Sequence, residues 1–215
     1  MSFWDIIVFI FTRGAGVTVL LTVFSALLAL ILGFLAGFAR RSNIKILRWI
    51  ANIYVEIFKG TSLLVQLFWI YFVLPIFGFT IGAMLSAILA IGLNYGAYIS
   101  DVVMSGIESV DEGQEEAAIA LNMTRAQRMR RIVLPQALVL MMPNFGNQLI
   151  ELFKSTSLVS LITLTDLTYQ AELLNGSTFE TTKIYTALLI IYFVLAWPLT
   201  KGMKLLERKL TEGKY

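Results

Sequence analysis

Long uncharged apolar runs alternate with short polar stretches along the chain. An apolar helix of about 20 residues crosses the ~30 Å hydrocarbon core of a bilayer. The uncharged run at 60–100 is too long for one such helix, and Pro75, Gly78 and Gly82 divide it near its middle. The pattern therefore predicts an all-α membrane protein with five transmembrane helices, at 17–39, 61–76, 82–103, 132–150 and 184–200.

Several shorter features add to this pattern. The amphipathic segment 1–13 is predicted to lie at the membrane interface, and it lacks the basic start of a signal peptide. The apolar segment 155–165 has about half the length of a span and is expected to be re-entrant or buried. Pro143 is expected to kink the fourth helix. Gly33 and Gly37 form a GxxxG pair, a spacing that lets helix backbones approach closely.

Composition narrows the class of protein further. Hydrophobic residues make up 58% of the 215 residues and charged residues only 14%, whereas soluble domains carry about 25% charge. A water-soluble globule is therefore excluded. Because the chain contains no cysteine and no histidine, it has no disulfide, no thiolate or imidazole metal ligand, and no Ser-His-Asp triad. Neither a metal site nor an enzymatic activity is expected.

Basic residues are unevenly distributed around the predicted helices. Most of the 17 lysines and arginines fall in the segments 40–48, 125–131 and 201–214, which lie on the same side of a five-helix arrangement. Cytoplasmic loops of membrane proteins are enriched in these residues. The N-terminus is therefore predicted to lie outside and the C-terminus in the cytoplasm. The same asymmetry accounts for the basic pI of about 9.2 without a nucleic-acid partner.

The longest polar stretch, 105–131, has an acidic first half and a basic second half. Residues 115–121 are strong helix formers. Asn122 suits the left-handed conformation that ends a helix, and Thr124 can cap a second helix at 125–132. These signals predict two short helices around a tight turn on the cytoplasmic face. The spacing alone favours the simpler alternative, a solvated hairpin that only joins two spans.

Polar side chains inside the predicted helices are candidates for a solute pathway, since such groups are costly in lipid and usually face a bundle interior. Those at 94–101 share one helix face by their spacing, and so do those at 144–151. Hydrogen bonding that merely holds the helices together explains each residue singly at least as well, and Asp101 and Glu151 lie near span ends, where water reaches them. The candidates are Thr61, Gln66, Asn94, Tyr95, Tyr98, Asp101, Asn144, Asn147, Gln148, Glu151 and Ser155.

Ordered motifs along the chain resemble those of one transporter family. The segment EAAIALN, followed by IVLP, resembles the EAA loop of binding-protein-dependent ABC importers. Asn122 stands where the family pattern has a glycine. The residues that match the pattern are Glu116, Ala117, Ala118, Ile132, Leu134 and Pro135. EIFKGTSLLVQ at 56–66, AYISD at 97–101 and PNFGNQLIELFKSTSLVSLI downstream continue the resemblance. The set is similar to the permease subunits of polar amino acid importers of the histidine, glutamine and arginine type.

The resemblance implies one type I ABC importer transmembrane domain over 1–215, with its core at 14–207 and a cytoplasmic coupling loop at 105–131. It implies a multi-pass protein of the bacterial inner membrane. Its partners would be an identical or homologous permease, an extracytoplasmic substrate-binding protein and a cytoplasmic ABC ATPase dimer. The chain has no GxxxxGK[ST] loop, so ATP and Mg are expected only on the ATPase. The residues implied to couple to it are Glu112, Glu116, Ala117, Ala118, Asn122, Arg125 and Arg128.

Two departures from the family pattern bear on the substrate. Ser155 stands where relatives often have an aspartate, and Met104 where many have an arginine. The lost carboxylate argues against a strongly cationic substrate and favours a neutral or zwitterionic amino acid, or an amino-acid-like compatible solute such as ectoine. The alternative to an importer subunit is a small ATP-independent channel or a secondary carrier. A carrier would more naturally contain internal repeats, and the sequence has none.

Overall fold

The computed structural model describes residues 2–212, with side chains up to 209, and these residues form helices without a β-strand. The all-α prediction is confirmed. The helices are α1 (Phe3–Arg40), α2 (Lys45–Gly60), α3 (Leu63–Phe68), α4 (Ala83–Glu108), α5 (Glu112–Ala120), α6 (Arg125–Arg128), α7 (Leu134–Ser155), α8 (Leu167–Thr178) and α9 (Thr181–Glu212). Shorter turns extend or join them: π turns at Trp69–Val73 and Met129–Val133, and 3-10 helices at Leu74–Phe77 and Thr156–Ile162.

Helix α1 is a single helix of 38 residues, which corresponds to a length of about 57 Å. It begins at a capping box in which Ser2 and Asp5 each satisfy the other's backbone N–H. The prediction of a separate interfacial segment at 1–13 is therefore wrong for residues 3–13. Ile6 and Ile10 are fully buried in a cluster that includes residues of α8 and α9, and this packing stabilises the helix through residues 3–13 without a break.

The segment expected to be a cytoplasmic loop after the first span instead forms α2. The basic residues Lys45 and Arg48 are exposed on it, while Ala51 and Val55 are buried, so it is an amphipathic helix rather than a loop. Between α2 and the helical segment Leu63–Phe77 the chain bends by 103°. The bend falls at Thr61, whose extended backbone ends α2.

Close contact between α1 and α4 organises the main core. A Cβ atom added at Gly33 would lie 2.2 Å from Cγ2 of Ile99, and one added at Gly37 would lie 2.7 Å from Cγ1 of Val103. The GxxxG pair thus allows the approach that its spacing predicted. The remaining core residues come from α3, the two π turns, α7 and the 3-10 helix at Thr156–Ile162. The predicted burial of the segment 155–165 is confirmed for Thr156, Val159, Ser160 and Ile162 of that helix.

The count of five spans stays a prediction. Three helices of the described chain are long and apolar enough to cross a membrane: α1, α4 and residues Thr181–Lys209 of α9. The two helical segments Lys45–Gly60 and Leu63–Phe77, which are joined at the bend, form a fourth span if they cross the membrane together as one broken helix. Helix α7 continues through Pro143 and does not meet this criterion, since its polar residues lower its mean hydropathy. Orientation also remains a prediction.

Candidate functional site

A polar cavity of about 410 Å³ lies where the bend after α2 meets α4, α7 and the following 3-10 helix. This volume falls within the range of small-molecule sites. Seven residues from the predicted pathway line it, together with Ser62, which the predicted set lacked although it is adjacent to Thr61. The lining residues are Thr61, Ser62, Leu63, Asn94, Tyr95, Tyr98, Gln148, Glu151, Ser155 and Leu158.

Asn94 and Gln66 form the buried support of this cavity. The amide nitrogen of Asn94 donates to the Phe58 carbonyl at 2.8 Å and to Oε1 of Gln66 at 3.2 Å. Nε2 of Gln66 donates to Oγ1 of Thr61 at 2.7 Å and also to the Phe58 carbonyl at 2.9 Å. The bend leaves the last carbonyls of α2 without helical partners. These two amides satisfy one of those carbonyls, so Gln66 positions the bend instead of lining the cavity.

The opposite wall of the cavity carries hydroxyl groups and one ion pair. The hydroxyl groups of Tyr95 and Ser155 lie 2.6 Å apart and share a hydrogen bond. Nζ of Lys154 donates to Oε1 of Glu151 at 3.0 Å, and both side chains are more than half exposed. Because Glu151 keeps its second carboxylate oxygen available, the wall combines a hydrogen-bond acceptor of negative charge with several hydroxyl donors.

Asp101 does not line the cavity, although its spacing places it on the same helix face as Asn94 and Tyr98. Its Oδ1 accepts a hydrogen bond from Nη1 of Arg40 at 2.6 Å, and its other oxygen is paired with the ammonium of Lys59. Sequence spacing within α4 could not reveal these partners, because they come from the ends of α1 and α2. The carboxylate is therefore occupied by two cations of the same chain.

Asn144 and Asn147 also lie outside the cavity. Both are exposed on α7, on the side that carries Glu151. The spacing of these residues correctly predicted a common helix face. That face is uncovered in the single chain, so its polar groups are available to water or to another subunit.

Residues 111–128, called the elbow below, form the predicted pair of short helices around a tight turn. Oδ1 of Asp111 accepts from the Gly113 N–H at 2.8 Å and starts α5. Asn122 has a φ of 55°, which is the predicted left-handed conformation. Thr124 caps α6 through a capping box with Gln127. The first helix begins at Glu112, three residues before the predicted start, and the second passes into a π turn.

The coupling residues implied by the resemblance divide into exposed and internal ones. Glu116 and Ala117 are exposed near the tip, where the neighbouring Leu121 is 75% exposed. In contrast, Ala118 is 2% exposed and packs within the chain, so it has no surface for a partner. Arg128 also acts internally: its Nε lies 3.7 Å from Oε1 of Glu115, and its Nη1 donates to the Met123 carbonyl at 3.4 Å.

Comparison with known proteins decides the family. Residues 29–212 match the sequence profile of the family described as the binding-protein-dependent transport system inner membrane component. The chain belongs to this family. A probable amino-acid ABC transporter permease of Sinorhizobium fredii is 42% identical over 94% of this permease and 87% of the relative. The L-cystine transport system permease of Bacillus subtilis is 35% identical over 97% of this permease and 88% of the relative.

A solved structure supports the same assignment. The crystal structure of an amino acid ABC transporter with histidines matches this permease with a TM-score of 0.89 and 32% identity, over 97% of this chain and 99% of the other. The chain is thus a permease subunit of an amino acid ABC importer with the type I transmembrane fold, and it is a multi-pass protein of the bacterial inner membrane. Among the side chains of residues 2–209, no group of three or more acidic residues is placed to hold a metal ion.

Proposed function

We propose that this permease couples ATP hydrolysis by a separate cytoplasmic ABC ATPase dimer to passage of a polar amino acid through the cavity. The observation that supports this most directly is the helical connection between elbow and cavity. From Arg125 to Ser155 the chain is helical without a break, through α6, the π turn and α7. Because a hydrogen-bonded helix is stiff, a displacement of the elbow moves the residues of α7 that line the cavity.

The exposed tip of the elbow is the proposed contact with the ATPase. Glu112, Glu116, Ala117 and Asn122 are exposed there and offer charge and small side chains for close packing. Arg125 is exposed at the start of the second helix. Ala118 and Arg128 support the shape of the elbow from inside. ATP and Mg bind to the ATPase in this proposal, and the permease itself binds no cofactor.

The uncovered polar face of α7 favours a pathway shared between two permeases. Asn144, Asn147 and Glu151 would face a second subunit, identical or homologous, so that two chains enclose the solute. An extracytoplasmic binding protein would deliver the solute from the side of the N-terminus. In this arrangement the whole chain is one transmembrane domain with its core at 14–207, and 105–131 is its coupling loop.

The lining of the cavity favours a zwitterionic substrate with an uncharged side chain. Glu151 is the one acidic residue among the lining residues, and it can accept a hydrogen bond from an ammonium group. The hydroxyl groups of Thr61, Ser62 and Tyr98 can donate to a carboxylate. No second carboxylate is present in the lining to hold a cationic side chain. A neutral polar amino acid or an ectoine-like solute fits these groups.

The coupling proposal is tested by ATP hydrolysis in the complex of permease, ATPase and binding protein, reconstituted in liposomes. Glu116→Lys and Ala117→Trp place a reversed charge and a bulky ring on the exposed tip. We expect both variants to lose stimulation of hydrolysis by substrate and binding protein. Glu172→Lys makes the same charge reversal on an exposed residue of α8, outside the coupling loop, and is expected to retain it. Undiminished stimulation in both tip variants would remove the tip from the contact with the ATPase. The absence of any associated ATP hydrolysis, with solute uptake unaffected by the two changes, would favour a channel or carrier.

The cavity is tested separately by uptake measured across a panel of zwitterionic and cationic amino acids and ectoine. Glu151→Gln removes the acceptor for an ammonium group while it keeps the shape of the side chain. We expect a rise of about tenfold or more in the KM for zwitterionic substrates, because a charged hydrogen bond contributes about 1.5–3 kcal/mol. Glu172→Gln, an exposed carboxylate on α8, is the matched control. Equal uptake by wild type and Glu151→Gln would remove this residue from the pathway.

A further inference from the structure

A second and larger opening, the inner groove, lies between the last turns of α1, helix α2 and helix α6. Its volume is about 950 Å³. None of the residues that line the polar cavity takes part in it, and it opens on the opposite side of α2 from the surface that carries Arg48 and Trp49. It is therefore a separate site.

The walls of the inner groove are apolar. Leu32, Leu35 and Phe38 of α1 face Leu47 and Ile50 of α2 across it. Several of these side chains are strongly exposed, with Leu35 at 63%, Ile50 at 55% and Leu47 at 43%. Exposed apolar walls at the level of a bilayer are suited to hydrocarbon chains, which cover them without loss of hydrogen bonds.

The two arginines of the inner groove stand at one end of it. The Arg41 side chain makes no hydrogen bond or ion pair with any described residue, and it lies beside Ser42 and Asn43, which also line the groove. Nη2 of Arg125 donates one hydrogen bond, to the Arg41 carbonyl at 3.2 Å, and this leaves the other N–H groups of its guanidinium unused within the described chain. Two guanidinium groups without a carboxylate partner therefore adjoin an apolar channel.

The acidic residues nearest to Arg41 line a different cavity from the inner groove. A small cavity of about 210 Å³ separates Arg41 from Glu108, Asp111, Glu112 and Glu115. None of these carboxylates forms an ion pair with Arg41 among the described residues, and none lines the inner groove. The groove end therefore presents two guanidinium groups that form no ion pair with a described carboxylate, and these groups can bind an anion that enters the groove.

We propose that the inner groove binds an anionic phospholipid of the cytoplasmic leaflet, with an acyl chain between α1 and α2 and its phosphate at Arg41 and Arg125. Basic pockets between helices at the cytoplasmic side of a membrane are suited to anionic headgroups. The lipid proposal rests on the orientation proposed above, in which the elbow lies in the cytoplasm. A phosphate accepts several charge-assisted hydrogen bonds from guanidinium groups, and the channel beside them accommodates the chain of the same molecule.

The proposed lipid contacts the elbow directly. Arg125, Ala126 and Met129 line the inner groove, and they lie in and just after the second helix of the elbow. The lipid would thus connect α6 to the end of α1 and to α2. We expect bound lipid to hold the elbow against the membrane domain, which makes it a third component of the coupling path.

The test is lipid binding to the delipidated complex of permease and ATPase, followed by native mass spectrometry. Phosphatidylglycerol and phosphatidylcholine with the same acyl chains are titrated, and glycerol phosphate is added as the free-phosphate competitor. We expect phosphatidylglycerol to bind at least tenfold more tightly and glycerol phosphate not to displace it. Arg41→Gln and Arg125→Gln should each weaken phosphatidylglycerol binding about fivefold, the effect of one interfacial arginine.

Arg130→Gln and Arg131→Gln are the matched controls, because both arginines are exposed in the same loop and do not line the inner groove. Equal losses in the controls, equal binding of the two lipids, or displacement by glycerol phosphate would each overturn the proposal. Because the chain has no cysteine, Leu47→Cys introduces a unique thiol in the groove. Its oxidation to a disulfide between two permeases would show that a second copy covers the groove, which also overturns it. Since the readout needs no ATP hydrolysis, these outcomes leave the coupling proposal untouched.

Discussion

Asp101 is expected to contribute strongly to stability because it is shared by two cations. Arg40 at the end of α1 donates to its Oδ1 at 2.6 Å and also to Oγ of Ser100 at 3.1 Å. Lys59, at the end of α2, pairs with the other carboxylate oxygen. The substitution Asp101→Asn keeps the shape of the side chain and removes its charge. Two cations then lie close together without compensation.

The size of the effect follows from the burial of the three side chains. They are 18% exposed for Arg40, 33% for Lys59 and 38% for Asp101. Removing one partner of a fully buried ion pair costs about 3–5 kcal/mol, while an exposed pair contributes about 0.2–1 kcal/mol. Partial burial places Asp101→Asn between these limits, at about 2 kcal/mol. For a chain of this size, that corresponds to a fall in Tm of about 4–8 °C.

The measurement is thermal unfolding of the purified permease in detergent, followed by tryptophan fluorescence at one fixed scan rate. Lys183→Gln removes an ion pair with Glu180 in which Lys183 is 55% exposed, and we expect it to shift the Tm by about 1 °C or less. The double variant Asp101→Asn/Lys59→Gln should lose less stability than the sum of the single changes, since the residues are coupled. A Tm of Asp101→Asn within 1 °C of wild type would refute the reasoning.

Three further predictions use the same unfolding assay. Gly33→Ala should destabilise by about 1–3 kcal/mol because its Cβ would lie 2.2 Å from Ile99, while Gly16→Ala, which has open space around it, should stabilise by about 0.5–1 kcal/mol. Burial raises the pKa of Asp166 to about 6. The folded state therefore binds the proton of this carboxyl group more tightly than the unfolded chain does. The free energy of unfolding should therefore fall by about 2 kcal/mol as pH rises from 4 to 7, and the fall should disappear in Asp166→Asn. At Asn122, where φ is 55°, Gly should be tolerated and Val should cost about 1–2 kcal/mol.

Local signals explain why the elbow could be predicted from sequence. Asn122 and Thr124 act within a few residues of their own positions, through a left-handed backbone and a capping box. Such features depend little on the rest of the fold. The same holds for GxxxG, because the glycine spacing alone brings Gly33 and Gly37 to one face of α1.

Distant partners explain what the sequence did not reveal. The role of Asp101 depends on Arg40 and Lys59, which lie more than 40 residues away in the chain, and no local pattern joins the three. The continuation of α1 toward Phe3 depends on the burial of Ile6 against α8 and α9. Helix α2 was not predicted because its exposed residues Lys45 and Arg48 are also typical of a cytoplasmic loop.

The length of α1 has a consequence for the membrane in which the protein works. About 40 Å of helix separates Arg13 from Arg40 at 1.5 Å per residue, while the hydrocarbon core is only about 30 Å thick. A helix with such a hydrophobic mismatch must tilt, extend its charged side chains toward the surface, or thicken the bilayer around it, and each response costs free energy. Since α1 packs against α4, α8 and α9, its tilt is shared by the whole subunit. Transport is therefore expected to vary with acyl-chain length, with an optimum in thicker bilayers.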